Sequence, residues 1–99
     1  MSQLRVRDVC PDSRLFRHDG ARLRAAIEAS WSDAEPVQVD FEGETIASLS
    51  FLDEGVATLF VDHDAALIRR RLQLVGLTEP DREELNRLVA KRRGERPAA

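Results

Sequence analysis

A chain of 99 residues and 11.2 kDa has room for one domain, because a single hydrophobic core usually organises about 100 to 150 residues, and this excludes a multidomain enzyme. Hydrophobic residues make up 42% and charged residues 33%, with five glycines and four prolines, a globular composition rather than a disordered or collagen-like one. Charge is unevenly spread: residues 1–24 hold six arginines and three aspartates, 25–68 hold ten acids and no lysine or arginine, and 69–99 hold nine basic and five acidic groups. The acidic middle would repel phosphates, which argues against nucleic acid there.

No apolar run approaches the roughly 18 residues that span a bilayer, and the opening MSQLRVRDVC has no apolar signal core, so a soluble cytoplasmic protein without membrane contact is expected. The single Cys10 can form neither an internal disulfide nor, without partners, a zinc site, which leaves packing as the source of stability. Fourteen arginines to one lysine, with twelve alanines, fit the codon bias of a GC-rich bacterium.

In chain order, Leu4 and Val6 alternate with Arg5 and Arg7, a period of two that predicts a strand over residues 3–9. Cys10-Pro11-Asp12-Ser13 reads as a turn, and residues 14–17 as a short second strand closing a hairpin. After Asp19-Gly20, the spacing of Leu23, Ala26, Ile27, Ser30 and Trp31 predicts a helix over 20–31 that buries Leu23, Ile27 and Trp31. Ser32 to Pro36 is a loop, and Val37, Val39 and Phe41 alternate with polar residues as a strand. Ser48 or Ser50 can cap the next helix, predicted over 51–61, with Ser50 and Asp53 in a capping arrangement, Phe51 and Leu52 buried, and Gly55 a weak point. Residues 67–75 read as a strand. Thr78-Glu79-Pro80-Asp81 is a strong start for a third helix over 80–93 that buries Leu85, Leu88 and Val89, and 94–99 is a flexible tail. The order β(β)αβαβα defines a small α/β domain over 1–93, with a mostly parallel sheet and helices packed on it.

Chemistry-bearing patterns are sparse. Asp62-His63-Asp64 cannot turn three adjacent side chains onto one ion, and His18-Asp19 falls where a helix cap is required, so neither is read as a metal or catalytic site. There is no glycine-rich phosphate loop and no nucleophile elbow, and no cofactor is expected. Arg69-Arg70-Arg71 and the run from Lys91 to Arg96 read as solvated cations, those near a helix C-terminus offsetting its dipole, so nucleic acid is not expected as a partner. What remains is the stretch from Val37 to Glu54, where a strand ending in Asp40 leads to serines at a helix entrance, a seat for a phosphate as well as an N-cap.

Asp40-Phe41-Glu42-Gly43, the spacing to Ser48-Leu49-Ser50-Phe51-Leu52-Asp53-Glu54 and the later Leu72-Gln73-Leu74-Val75-Gly76-Leu77 resemble the bacterial STAS-like domain family of unknown function. Arg14-Leu15-Phe16 ahead of Asp19-Gly20, and the helix containing Arg24, fit the same pattern, so the resemblance runs from about Arg5 to Lys91. More distantly the chain is similar to the STAS modules of sulfate transporters and anti-sigma-factor antagonists, whose anti-anti-sigma members dock a histidine-kinase-like ATPase and are switched by serine phosphorylation. Against that family's Asp-Ser-Ser-Gly-Leu stretch, Ser50 matches the phosphorylated serine, Ser48 the acid, Leu49 the first serine and Phe51 the glycine. The resemblance implies a non-enzymatic regulatory module that docks a protein partner, such as a kinase-like ATPase, with Ser50, Ser48, Asp40, Phe51, Asp53 and Glu54 as the docking or phosphorylation residues. It leaves a homodimer open. The enzyme alternative is a small nucleotide- or anion-binding catalyst at the Ser48/Ser50 entrance that uses Asp40 and Glu54.

Overall fold

The computed structural model describes residues 2–11, 15–46 and 48–95. Three four-residue strands, β1 (Ser2–Arg5), β2 (Val37–Asp40) and β3 (Leu72–Val75), form a parallel sheet in the order β1-β2-β3. Ser2 pairs with Val37 and Val37 with Leu72, and the register continues to Arg5, Asp40 and Val75. Parallel neighbours require crossovers, and two right-handed crossovers in the same direction leave their helices on one face. Val37 and Val39 are buried on that face, with Leu4, Leu72 and Leu74 packed beside them. Gln3, Gln38 and Gln73 point to the other face and form a ladder, each amide donating to the next carbonyl at 3.4 Å. An open sheet face needs polar side chains, and these three supply both donor and acceptor.

The helices are α1 (Val6–Val9), α2 (Arg17–Ser30), α3 (Leu49–Leu52), α4 (Thr58–Asp62), α5 (Ala65–Arg71) and α6 (Glu79–Glu95). A π-helical turn, Asp53–Ala57, joins α3 to α4, so residues 49–62 run as one widened helix. This helix is central, with α2 on one side and α6 on the other. Leu23 and Ile27 of α2, Phe51, Leu52, Val56 and Leu59 of the central helix, Leu85 of α6 and the strand valines make one core with Val6, Leu15 and Phe41. Phe51 and Leu52 are fully buried in that cluster, as their spacing predicts.

The expected α/β class stands, and several elements are corrected. The first strand ends at Arg5, because Val6 is drawn fully into the core and the chain turns helical there, with the Cys10 N–H closing on the Val6 carbonyl at 2.8 Å. No strand forms at Leu15 or Phe16, and Arg17 already belongs to α2, while the Arg14 part of that expected strand and the Asp12-Ser13 part of the turn lie outside the described residues. The helix starts at Arg17 rather than Gly20 because Asp19 Oδ2 accepts from the Phe16 N–H at 3.0 Å, the reach-back half of a capping box. Trp31 is half-buried, set edge-on to His63 with centroids 5.0 Å apart. β2 stops at Asp40, one residue before Phe41.

The expected strand over 67–75 is a strand only from Leu72. Before it, Asp64 Oδ1 caps α5 by accepting from the Ala66 N–H at 3.1 Å, and Ile68 is the residue α5 buries. Thr78 does open the last helix, its Oγ1 accepting from the Asp81 N–H at 3.3 Å. α6 runs past Arg93 to Glu95, and of its expected apolar stripe Leu85 is buried while Leu88 and Val89 are half-buried. The rest of the expected tail, 96–99, lies outside the described residues. No helix among the described residues is long and apolar enough to cross a membrane.

Candidate docking site at the helix entrance

The central helix begins at Leu49, two residues earlier than its apolar spacing indicates, and its cap is Ser48 rather than Ser50. Ser48 has extended backbone and its Oγ accepts from the Ser50 N–H at 3.2 Å, while its carbonyl accepts from Phe51 N at 3.1 Å. Ser50 therefore sits in the first turn, partly buried, with its hydroxyl free of capping. Arg17 of α2 reaches it, Nη2 to Oγ 3.4 Å. The N-terminal ends of α2 and of the central helix thus lie side by side.

The two helices meet through glycines. A Cβ on Gly20 would come within 2.6 Å of the Phe51 carbonyl oxygen, and one on Gly55 within 3.0 Å of the Gly20 carbonyl oxygen. Gly55 is thus a point of closest backbone approach, which corrects its reading as a weak spot in the helix. The crossing coincides with the π-helical turn.

Asp53 and Glu54, both candidates from the sequence, hold the central helix between its neighbours. Glu54 takes Arg17 on one oxygen at 3.1 Å and Arg24 on the other at 3.2 Å, both from α2. Thr58 Oγ1 donates to the Glu54 carbonyl at 2.8 Å. Asp53 is held by Arg92 of α6 through two bonds, 2.5 and 2.9 Å, a fork-to-carboxylate pairing. The Arg92 bonds keep the Asp53 carboxyl below the usual carboxylate value, and Asp53 in turn raises Arg92. Beyond Arg24 the polar seam continues to Glu28 and from Glu28 to His63, 3.1 Å apart, so His63 belongs to an inter-helix contact.

Asp40 is not brought to this entrance by any described contact. Its Oδ1 accepts from the Glu42 N–H at 2.8 Å, and with Arg5, Arg7 and Glu42 it lines a polar hollow at the carboxyl edge of the sheet. Gly76, with φ +79°, passes so close that a Cβ there would be 2.5 Å from the Glu42 nitrogen, which fixes this corner. The set proposed for an enzyme, the two serines with Asp40 and Glu54, is thereby divided between two places, with Glu54 already occupied by two guanidinium groups.

Two residues missed by the sequence reading complete the entrance. Among the described residues, Phe16 and Leu49 are the large apolar side chains left in solvent, 42% and 50% exposed. Leu49 precedes Ser50, and Phe16 precedes the Arg17 that contacts Ser50. Phe16 also stacks on His18, centroids 6.4 Å apart. Cys10 is held away from any such surface: it is buried, its Sγ donates to the Asp19 carbonyl at 3.4 Å, and burial, with the Asp19 charge second, pushes its thiol up to about 11.

A one-sided parallel sheet, covered by helices whose central member starts at a serine cap beside exposed apolar groups, defines a small α/β domain of the STAS-like kind. The chain belongs to the family described as the STAS-like domain of unknown function, whose model matches residues 19–82, from Asp19-Gly20 at the crossing to Arg82 in α6. No curated protein and no solved structure matches it.

Proposed function

We propose that the protein is a regulatory module that acts by docking a partner protein, with a kinase-like ATPase or another regulator as that partner, and that the docking surface is the entrance formed by Phe16, Arg17, Leu49 and Ser50. The observation that carries this reading is the placement of the two exposed large apolar side chains. Scattered apolar residues are normal on a surface, but each of these two directly precedes one member of the polar contact that joins two helix ends. Apolar anchors around a few polar groups are the usual composition of an interface core.

Ser50 is the modification candidate within that surface. Because Ser48 caps the helix, a phosphate on Ser50 would leave the cap intact and place its charge beside Arg17, in competition with Glu54. Charge added there must be desolvated when a partner docks, so modification would release the partner.

The test is capture from the native host with wild-type protein and a Leu49→Glu variant side by side, folding checked by circular dichroism. A protein retained by the wild type and lost by the variant supports the surface. Retention of the same protein by both would overturn it.

A further inference from the structure

The entrance leaves a second surface unused, at the other side of the central helix. α5 and α6 both pack on α4 but hardly on one another, and between them opens a cleft of about 500 Å³. Its floor is apolar, made by buried Ile68 and Leu85 with half-buried Phe60 and Val89. Leu85, Val89 and Arg93 recur every four residues along α6, so one face two turns long forms that wall. Ala65 on α5 and Ala90 on α6 stand exposed at the rims, small enough for another backbone to come close.

Charge marks what the cleft is built to receive. Among the described residues, no carboxylate lines it. Arg69 stands on the α5 wall and Arg93 on the α6 wall, and neither has a carboxylate partner among the described residues, although Arg93 donates to the Phe60 carbonyl at 3.2 Å. Their neighbours are all paired: Arg70 and Arg71 with Asp33, and Arg92 with Asp53. The two cations at the cleft are thus left over, while Arg70, Arg71 and Arg92 are matched with acids outside it. We propose that the cleft receives an acidic amphipathic helix of a partner protein, whose apolar residues at i, i+4 and i+7 fill the floor while acids on its two flanks meet Arg69 and Arg93. A small aliphatic carboxylate would satisfy one guanidinium at one end. Cations on opposite walls with an apolar floor between them match a helix carrying acids on both sides.

The probe is a synthetic amphipathic helix of about four turns with leucines at those positions and glutamates on both flanks, compared with the same peptide carrying lysines. Binding is followed through the methyl resonances of Ile68, Leu85 and Val89 in the full chain. The glutamate peptide should saturate and bind at least about tenfold more tightly than the lysine peptide. In the double variant Arg69→Glu, Arg93→Glu, where both arginines are exposed and form no ion pair among the described residues, the preference should reverse, and Val89→Glu should abolish both. Leu49→Glu should leave this binding unchanged, which separates the cleft from the docking entrance. The proposal is overturned if neither peptide shifts these methyls, if the double variant keeps the preference for glutamate, if laurate saturates the methyls where the peptides do not, or if the free chain self-associates with them covered.

Discussion

At the crossing of α2 and the central helix, Gly20 has no room for a methyl group and Gly55 would hold one only tightly. In an open helix, Gly20→Ala would gain up to about 1 kcal/mol from propensity, but here the new Cβ would meet the Phe51 carbonyl oxygen at 2.6 Å, and a backbone oxygen cannot swing aside. Gly20→Ala should therefore lose about 1 to 3 kcal/mol in denaturant unfolding, and a more stable variant would show that the helices cross elsewhere. The two serines at the entrance also separate by role. Ser48→Ala removes the cap and should lose about 1 kcal/mol, whereas Ser50→Ala, which removes only the contact to Arg17, should lose clearly less in the same measurement. Asp53 gives a pH signature. Its carboxyl is held low by Arg92, so the stability it contributes is fully present above the unfolded-state value of roughly 3.9 and is lost as pH falls through the lowered folded-state value. Asp53→Asn should consequently flatten the decline of stability below about pH 4, and an unaltered acid limb would mean that the pair with Arg92 contributes nothing.

Legibility at the scale of elements followed the strength of local patterning. The helix buried through Leu23 and Ile27, the Val37/Val39 strand and the Thr78-capped last helix could all be read, because each combines an apolar period with a start signal. The hairpin failed for a physical reason. Val6 alternates correctly for a strand, yet it is buried by turning into a helical turn, and only the tertiary core decides between the two. α5 was hidden because its apolar residues, Leu67 and Ile68, stand only three arginines ahead of Leu72 and Leu74, with no glycine or proline to mark where helix gives way to strand. The Asp64 cap was the available signal for that boundary. Of the site, Ser48, Ser50 and the buried Phe51 were visible from the helix-entrance pattern. Phe16 and Arg17 were not, since they reach Ser50 only through the long-range crossing of α2. Burial of the entrance residues is tested by Leu52→Ala, which should cost about 2 to 5 kcal/mol, and an unchanged melting temperature would place the other face of this helix inward.

Across the whole molecule, the helices cover one sheet face and leave the other to a glutamine ladder, so the surfaces able to bury apolar area on a partner lie among the helices. The entrance at Phe16 and Leu49 is one of them, and the open sheet face, where Gln73 is exposed, offers an internal control. The most direct measurement uses the purified partner retained by wild type and lost by Leu49→Glu. Its affinity is compared for the wild type, Phe16→Ala, Leu49→Ala, Ser50→Asp and Gln73→Ala. Docking at the entrance predicts that the first three substitutions each weaken binding about tenfold or more, at unchanged fold, while Gln73→Ala binds as the wild type does. Full affinity in Phe16→Ala, Leu49→Ala and Ser50→Asp, with loss only in Gln73→Ala, would contradict it and move the contact to the sheet.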